Sequence, residues 1–145
     1  MDADFSHDPE EIPVLLHASE TADIVIGSRY LPKSRITGWP LTRRVFSRCA
    51  NLLARSLLHI PIGDYTNGYR IYSVSAARAI DRSVIVPKGY IVLSAIAYQL
   101  HQKGFRFVEV PTVFVNRKRG ESNTKPKEIW EALAGIFRIR YSSRK

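Results

Sequence analysis

The residues with the plainest chemical meaning stand at the start of the chain. Asp2 and Asp4 are separated by one residue, so on a turn both carboxylates can face one divalent cation. Mg2+ and Mn2+ take carboxylate oxygens and complete their shells with phosphate oxygens and water. The same spacing also describes a solvated acidic terminus, so the pair alone leaves both readings open. His7 is close enough in sequence to join such a site or to stand beside it.

The other candidates are basic. Arg29 follows Gly27 and Ser28 directly after an apolar run. A side chain there projects from the carboxyl end of a strand, where ligands of α/β sheets sit. The planar fork of an arginine suits phosphate through paired charge-assisted hydrogen bonds. Arg43, Arg44 and Arg48 open a helix beside a loop holding Arg35 and Trp39. A helix amino terminus attracts anions, although a solvated helix face explains such charge equally well. Asp64-Tyr-Thr-Asn-Gly-Tyr-Arg70 is a polar turn whose acid and base allow either an internal salt bridge or a catalytic role for Asp64. Asn116-Arg-Lys-Arg-Gly-Glu-Ser-Asn123 is a basic loop that could close over a diphosphate with Gly120 as hinge.

These residues need elements to hold them. Asp8, Pro9, Glu10 and Glu11 form a helix-start signature within a loop and short helix over Asp8 to Ala18. Ala22 to Ile26 reads as a buried strand stopped by Gly27 and Ser28, and Arg29 to Pro40 as a loop. A strong helix is predicted from Leu41 to His59, ended by Pro61 and Gly63. Arg44, Arg48 and Arg55 share one stripe of it, and Val45, Cys49, Leu52 and Leu53 form an apolar face that places Cys49 in the core. A short strand at Ile71-Tyr72, a helix from Ser73 to Ile80 and another from Gly89 to Lys103 follow, the last capped at Gly104. Phe105 to Val110 alternates and continues through Val115, with Pro111 marking an edge or a bulge. A last helix starts at Pro126 and carries Ile129, Trp130, Leu133, Ile136 and Phe137 on one side. Alternating helix and strand predicts an α/β fold in a single domain over residues 1–145.

The composition, 45% hydrophobic and 24% charged over 145 residues, is that of a globular chain. No run approaches the roughly 18 apolar residues that span a bilayer. One cysteine excludes an internal disulfide, and the sparse Cys and His exclude a zinc site of the usual spacing. No Walker or dinucleotide-binding glycine loop is present. The net charge of +9 points to an anionic partner (nucleic acid, acidic lipid or a phosphorylated small molecule) or to a solvated surface that happens to be basic, and charge alone does not choose between them.

In their order, these motifs resemble the polyprenol-phosphate (dolichol-phosphate) mannose synthases of glycosyltransferase family 2. The likeness is carried by residues 1–9, Ala22-Asp-Ile-Val-Ile-Gly-Ser-Arg-Tyr30, Gly38-Trp-Pro-Leu41 with Arg43-Arg44, Ser47-Arg48 with Asn51, Asp64 to Arg70, Gly89-Tyr90, Val108-Glu-Val-Pro111 and Arg117-x-x-Gly-Glu-Ser122. It implies the carboxyl-terminal part of a GT-A fold, a mixed sheet flanked by helices, without the nucleotide-binding half. It implies transfer of a sugar, expected to be mannose from GDP-mannose, to a polyprenyl phosphate with inversion. Asp2 and Asp4 would hold Mg2+ or Mn2+. Asp4, Arg29 and Asp64 would be catalytic, while Arg29, Arg43, Arg44, Arg70, Arg117 and Ser122 would bind donor or acceptor phosphates. The expected setting is peripheral, on the cytoplasmic face of a membrane, with an anchoring subunit as a further partner. The isolated chain is expected to be inactive.

Two other classes fit the charge. A nucleic-acid-binding module is disfavoured because no known motif or aromatic stacking platform accompanies the arginines. A peripheral membrane or partner-binding subunit without activity would use the basic tail and the Trp130 helix. Within the transferase class, a glucosyl donor is the runner-up.

Overall fold

The computed structural model describes residues 6–81 and 91–116, together with the helical positions 135, 137, 139 and 140. Its centre is strand β1 (Ile24–Ser28), buried at every residue. A Val/Ile run buried on both faces is the signature of an inner strand. It pairs antiparallel with β3 (Arg70–Tyr72) and parallel with β4 (Phe107–Pro111), giving the order β3-β1-β4. The strand begins two residues later than expected and does not stop at Gly27 and Ser28. Both remain in the ladder, because the Gly27 amide donates to the Tyr69 carbonyl at 2.8 Å and the Thr112 amide to the Ser28 carbonyl at 3.2 Å.

Alternate residues of β1 feed two cores. Ile24 and Ile26 pack with Ala54, Leu58, Ile60, Ile62, Tyr65 and Leu100, beneath helices α2 (Leu41–Leu58) and α4 (Ile91–Gln102). Val25 packs with Leu15 of helix α1 (Ile12–Ala18), Ala22, Tyr69 and Val110. Helices therefore cover both sides of a mixed sheet, the α/β arrangement expected. Asp8 caps the 3-10 turn Pro9–Glu11 that leads into α1, its carboxylate accepting from the Glu10 amide. Ser73 caps helix α3 (Val74–Ala79) through the Ala76 amide. Gly104, at φ +80, follows α4 as expected of a helix end.

A second, two-stranded sheet was not expected. Strand β2 (Arg35–Thr37), inside the predicted loop, pairs in parallel with β5 (Val113–Val115). The chain leaves the first sheet after Pro111, on the edge strand β4, and Thr112 fastens the transition. Buried Thr112 donates its hydroxyl to Glu11, and its carbonyl accepts from Arg35. On its other side β5 meets the start of the chain: His7 bridges Phe114, and the Val115 amide donates to the Ser6 carbonyl. Ser6 and His7 are both buried, so the segment following Asp2 and Asp4 is tied down.

The orientation of α2 corrects the expected face. Val45, Cys49 and Leu52 point to solvent, and Cys49 is not in the core. The buried positions are Asn51, Ala54 and Leu58. Asn51 faces inward because Tyr65 needs a partner for its amide, which the Asn51 carboxamide oxygen accepts at 2.7 Å. The expected arginine stripe of Arg44, Arg48 and Arg55 is exposed. The helix ends at His59, which takes the left-handed conformation at φ 56, before Pro61 and Gly63 are reached.

Candidate functional site

The carboxyl end of β1, the amino end of α2 and the turn before β3 meet around Arg29. Arg29 is 8% exposed and Asp64 is fully buried. The Arg29 Nε donates to Asp64 Oδ2 at 2.7 Å, its Nη2 to Oδ1 at 2.7 Å, and its backbone amide to Oδ2 at 3.1 Å. Nη2 also donates to the Thr66 hydroxyl at 2.6 Å. The amides of Thr66 and Asn67 complete the shell of Asp64 Oδ1. Burial by itself would raise the Asp64 pKa, but hydrogen bonding and the charge of Arg29 outweigh it and hold the carboxyl below its ordinary range. A buried ion pair with this many hydrogen bonds is geometrically fixed.

The acid of the Asp64–Arg70 turn therefore pairs with Arg29 and not with the base that ends its own turn. The Arg70 guanidinium is buried and donates to the carbonyls of Asn67, Tyr65, Asp64 and Leu93. It ties the turn to α4. From the other side, both Glu109 carboxylate oxygens accept the amides of Gly63 and Asp64, at 2.8 and 2.9 Å.

Aromatic rings enclose Arg29. Its guanidinium carbon lies 5.2 Å from the Trp39 ring centroid, 5.5 Å from that of Phe114 and 5.6 Å from that of Tyr30. Arg43, from the first turn of α2, stacks on the same Trp39 ring at 4.1 Å and donates to the Asn116 carboxamide oxygen at 3.3 Å. Tyr30 reaches α2 as well, its hydroxyl donating to Ser47 at 2.5 Å. Burial pushes the Tyr30 hydroxyl pKa up, against the lowering effect of Arg29. Gly38, at φ +79, sets the backbone that delivers Trp39, and a Cβ there would lie 2.9 Å from Asn116 Cβ.

His7 joins the cluster from the start of the chain. Asn67 Nδ2 donates to the Gly27 carbonyl, which turns Asn67 Oδ1 toward His7 Nε2 at 2.8 Å. His7 Nε2 is thus the donor, and its Nδ1 is buried without a partner. The His7 ring packs on Tyr69 and Phe114.

Of the expected site residues, Arg29, Asp64 and Arg43 come together. Arg44 lies apart, exposed, with its guanidinium donating to the Ile36 carbonyl at 2.7 Å. Arg70 supports the turn from behind. Asp2, Asp4, Arg117 and Ser122 lie outside the described residues, as do Gly89-Tyr90 and residues 126–134 of the predicted last helix. Among the described residues no group of three or more His, Cys, Asp or Glu could hold a metal ion. The side chains of Phe114, Asn67 and Glu109 reach Trp39, Gly27 and Gly63, each 40 or more residues away, so no local spacing announces those contacts.

The glycosyl transferase family 2 profile matches residues 1–81. The chain is 40% identical over 144 residues to the undecaprenyl-phosphate mannosyltransferase of Micrococcus luteus, covering 99% of this chain and 59% of that protein. It is 42% identical to the polyprenol monophosphomannose synthase of Mycolicibacterium smegmatis, covering 92% of this chain and 51% of that protein. Identity to the dolichol-phosphate mannosyltransferase of Pyrococcus furiosus is 35%, over 96% of this chain and 39% of that protein. The chain thus spans about half the length of the curated relatives it matches.

Proposed function

From the premise that this chain belongs to glycosyl transferase family 2, we propose that it forms the acceptor side of an enzyme that transfers mannose from GDP-mannose to a polyprenyl phosphate. The observation that carries this reading is the convergence of Arg29 and Arg43 on one indole, 5.2 and 4.1 Å away, where β1 ends and α2 begins. Strand ends and helix amino termini are where α/β folds bind phosphate. The names of the three relatives point to the same acceptor class.

The chemistry matches the groups present. A phosphate monoester is already anionic near neutral pH, so its oxygen attacks the anomeric carbon without a general base. The new oxygen–carbon bond forms as the bond to the nucleoside diphosphate breaks, and the electron pair leaves with the diphosphate. In-line attack inverts the anomeric carbon. Arg43 binds and orients the acceptor phosphate, while Arg29, fixed by Asp64, holds the floor of the site. Pre-set positive charge offsets the repulsion between two anions, which is where electrostatic catalysis acts.

Mg2+ or Mn2+ held by Asp2 and Asp4 would neutralise the departing diphosphate. Two carboxylates are the hard-oxygen donors such ions take, and Ser6 and His7 anchor the segment that carries them.

The exposed face of α2 supplies the membrane side. Leu41 is 75% exposed, Val45 54% and Leu52 70%, with Arg44, Arg48 and Arg55 exposed on the same helix. No Asp or Glu occurs between Leu41 and Leu58. Apolar side chains interspersed with arginines suit an anionic bilayer surface. No helix among the described residues is long and apolar enough to cross a membrane.

The test joins this chain behind the amino-terminal part of the Micrococcus luteus relative and supplies radiolabelled GDP-mannose with undecaprenyl phosphate. Label is expected in the organic extract, as an alkali-stable β-linked product, and it falls when Arg43 is changed to alanine. Label that stays in the aqueous phase sinks the reading, and label carried only from a glucose donor selects the runner-up.

A further inference from the structure

Trp39 is 7% exposed, and its indole N–H is buried without a hydrogen-bond partner. A buried donor left unpaired carries a desolvation cost that a phenylalanine would avoid. Simple packing therefore does not account for tryptophan at this position. What indole offers over a phenyl ring is a stronger attraction for cations. Two cations use it: Arg43 at 4.1 Å and Arg29 at 5.2 Å. Phe114 braces the indole edge-on at 5.3 Å, and Gly38 fixes the backbone before it.

We propose that Trp39 is the positioning residue of the acceptor site, its ring holding the Arg43 guanidinium that meets the acceptor phosphate. This rests on the acceptor reading given above. Arg29 has a second restraint in the fully buried Asp64. Arg43, from the first turn of α2, lies closer to the Trp39 ring than Arg29 does and also donates to Asn116. Removing the indole should therefore disturb Arg43 more than Arg29, and acceptor binding more than donor binding.

The experiment uses the chimeric protein described above. Trp39→Leu is expected to raise the KM for undecaprenyl phosphate about tenfold, with the KM for GDP-mannose within about twofold of the parent. Trp39→Phe, which keeps a ring of weaker attraction for cations, is expected to recover only part of that loss. In an Arg43→Gln background, Trp39→Leu should add less than about a twofold further rise, since the group it positions is gone. Equal damage from Phe and Leu, a rise confined to the donor KM, or full additivity with Arg43→Gln would each overturn the proposal. The stacking is also read without turnover. Trp130→Phe leaves Trp39 as the sole tryptophan of this chain, and in the chain so altered Arg43→Gln should change its emission. Unchanged emission overturns the positioning. An emission change on Arg43→Gln, alongside a parent chimera that transfers nothing to undecaprenyl phosphate, keeps the positioning and defeats the acceptor reading beneath it.

Discussion

Asp64 sits on no water-exposed surface, yet its pKa lies below the ordinary 3.8 because Arg29 outweighs the effect of burial. The unfolded chain returns this carboxyl to its ordinary value and so takes up a proton first as the pH falls. The contribution of the pair to stability is therefore complete above the ordinary value and is lost as the pH drops through 3.8 toward the lower folded-state value. Urea unfolding followed from roughly pH 6 down to pH 3 should show that loss. Asp64→Asn should flatten the acid dependence and lower stability near neutral pH by about 3–5 kcal/mol, because it strands a buried guanidinium. At the other extreme, burial pushes the Tyr65 hydroxyl, which donates to the Ile60 carbonyl, up to about 12. The unfolded tyrosine ionises first, near its ordinary 10.0, so stability should fall as the pH rises from there toward about 12. An ultraviolet titration should find Tyr65 among the tyrosines that ionise after the exposed ones. Gly27 is a third residue with no freedom, since a Cβ would lie 2.9 Å from the Tyr69 ring. Gly27→Ala should cost about 1–3 kcal/mol through overpacking, read as a lower denaturant midpoint.

At the scale of the element, α2 carries two jobs on different sides. Its inner side holds the core through Ala54 and Leu58 and the Asp64 turn through Asn51, while its first turn supplies Arg43. Its outer side is an apolar and cationic stripe. The bilayer proposal predicts that Val45→Asp with Leu52→Asp lowers co-sedimentation with phosphatidylglycerol vesicles by about tenfold while leaving the thermal midpoint unchanged, as exposed positions should. Arg48→Gln with Arg55→Gln should act through charge, removing about 1 kcal/mol per arginine at low salt and little on neutral vesicles. Equal binding of all variants to both vesicle types would refute the assignment. The strand pair β2–β5 has the complementary task of carrying Phe114 to Trp39 and His7, so that the start of the described residues and β5 close on one site.

For the whole molecule, a net charge of +9 suits the two anionic substrates of the proposed reaction. A chelator such as EDTA should abolish transfer, and Mg2+ or Mn2+ should restore it unless Asp2 and Asp4 are both changed to asparagine. Retained activity in chelator would remove the metal from the mechanism. The chain by itself determined what depends on local pattern. The Val/Ile run of β1, the Asp8 and Ser73 caps, the glycine after α4 and the phosphate-suited arginines are each written within a few neighbouring residues, where spacing and propensity act. Tertiary structure alone decided which side of α2 turns inward, since a buried carboxamide for Tyr65 outranked the apolar stripe. It decided that Asp64 serves Arg29 rather than Arg70, and that β2 exists at all. Those outcomes follow from partners tens of residues apart, brought together when β1 was enclosed on both sides, and no local spacing encodes such contacts.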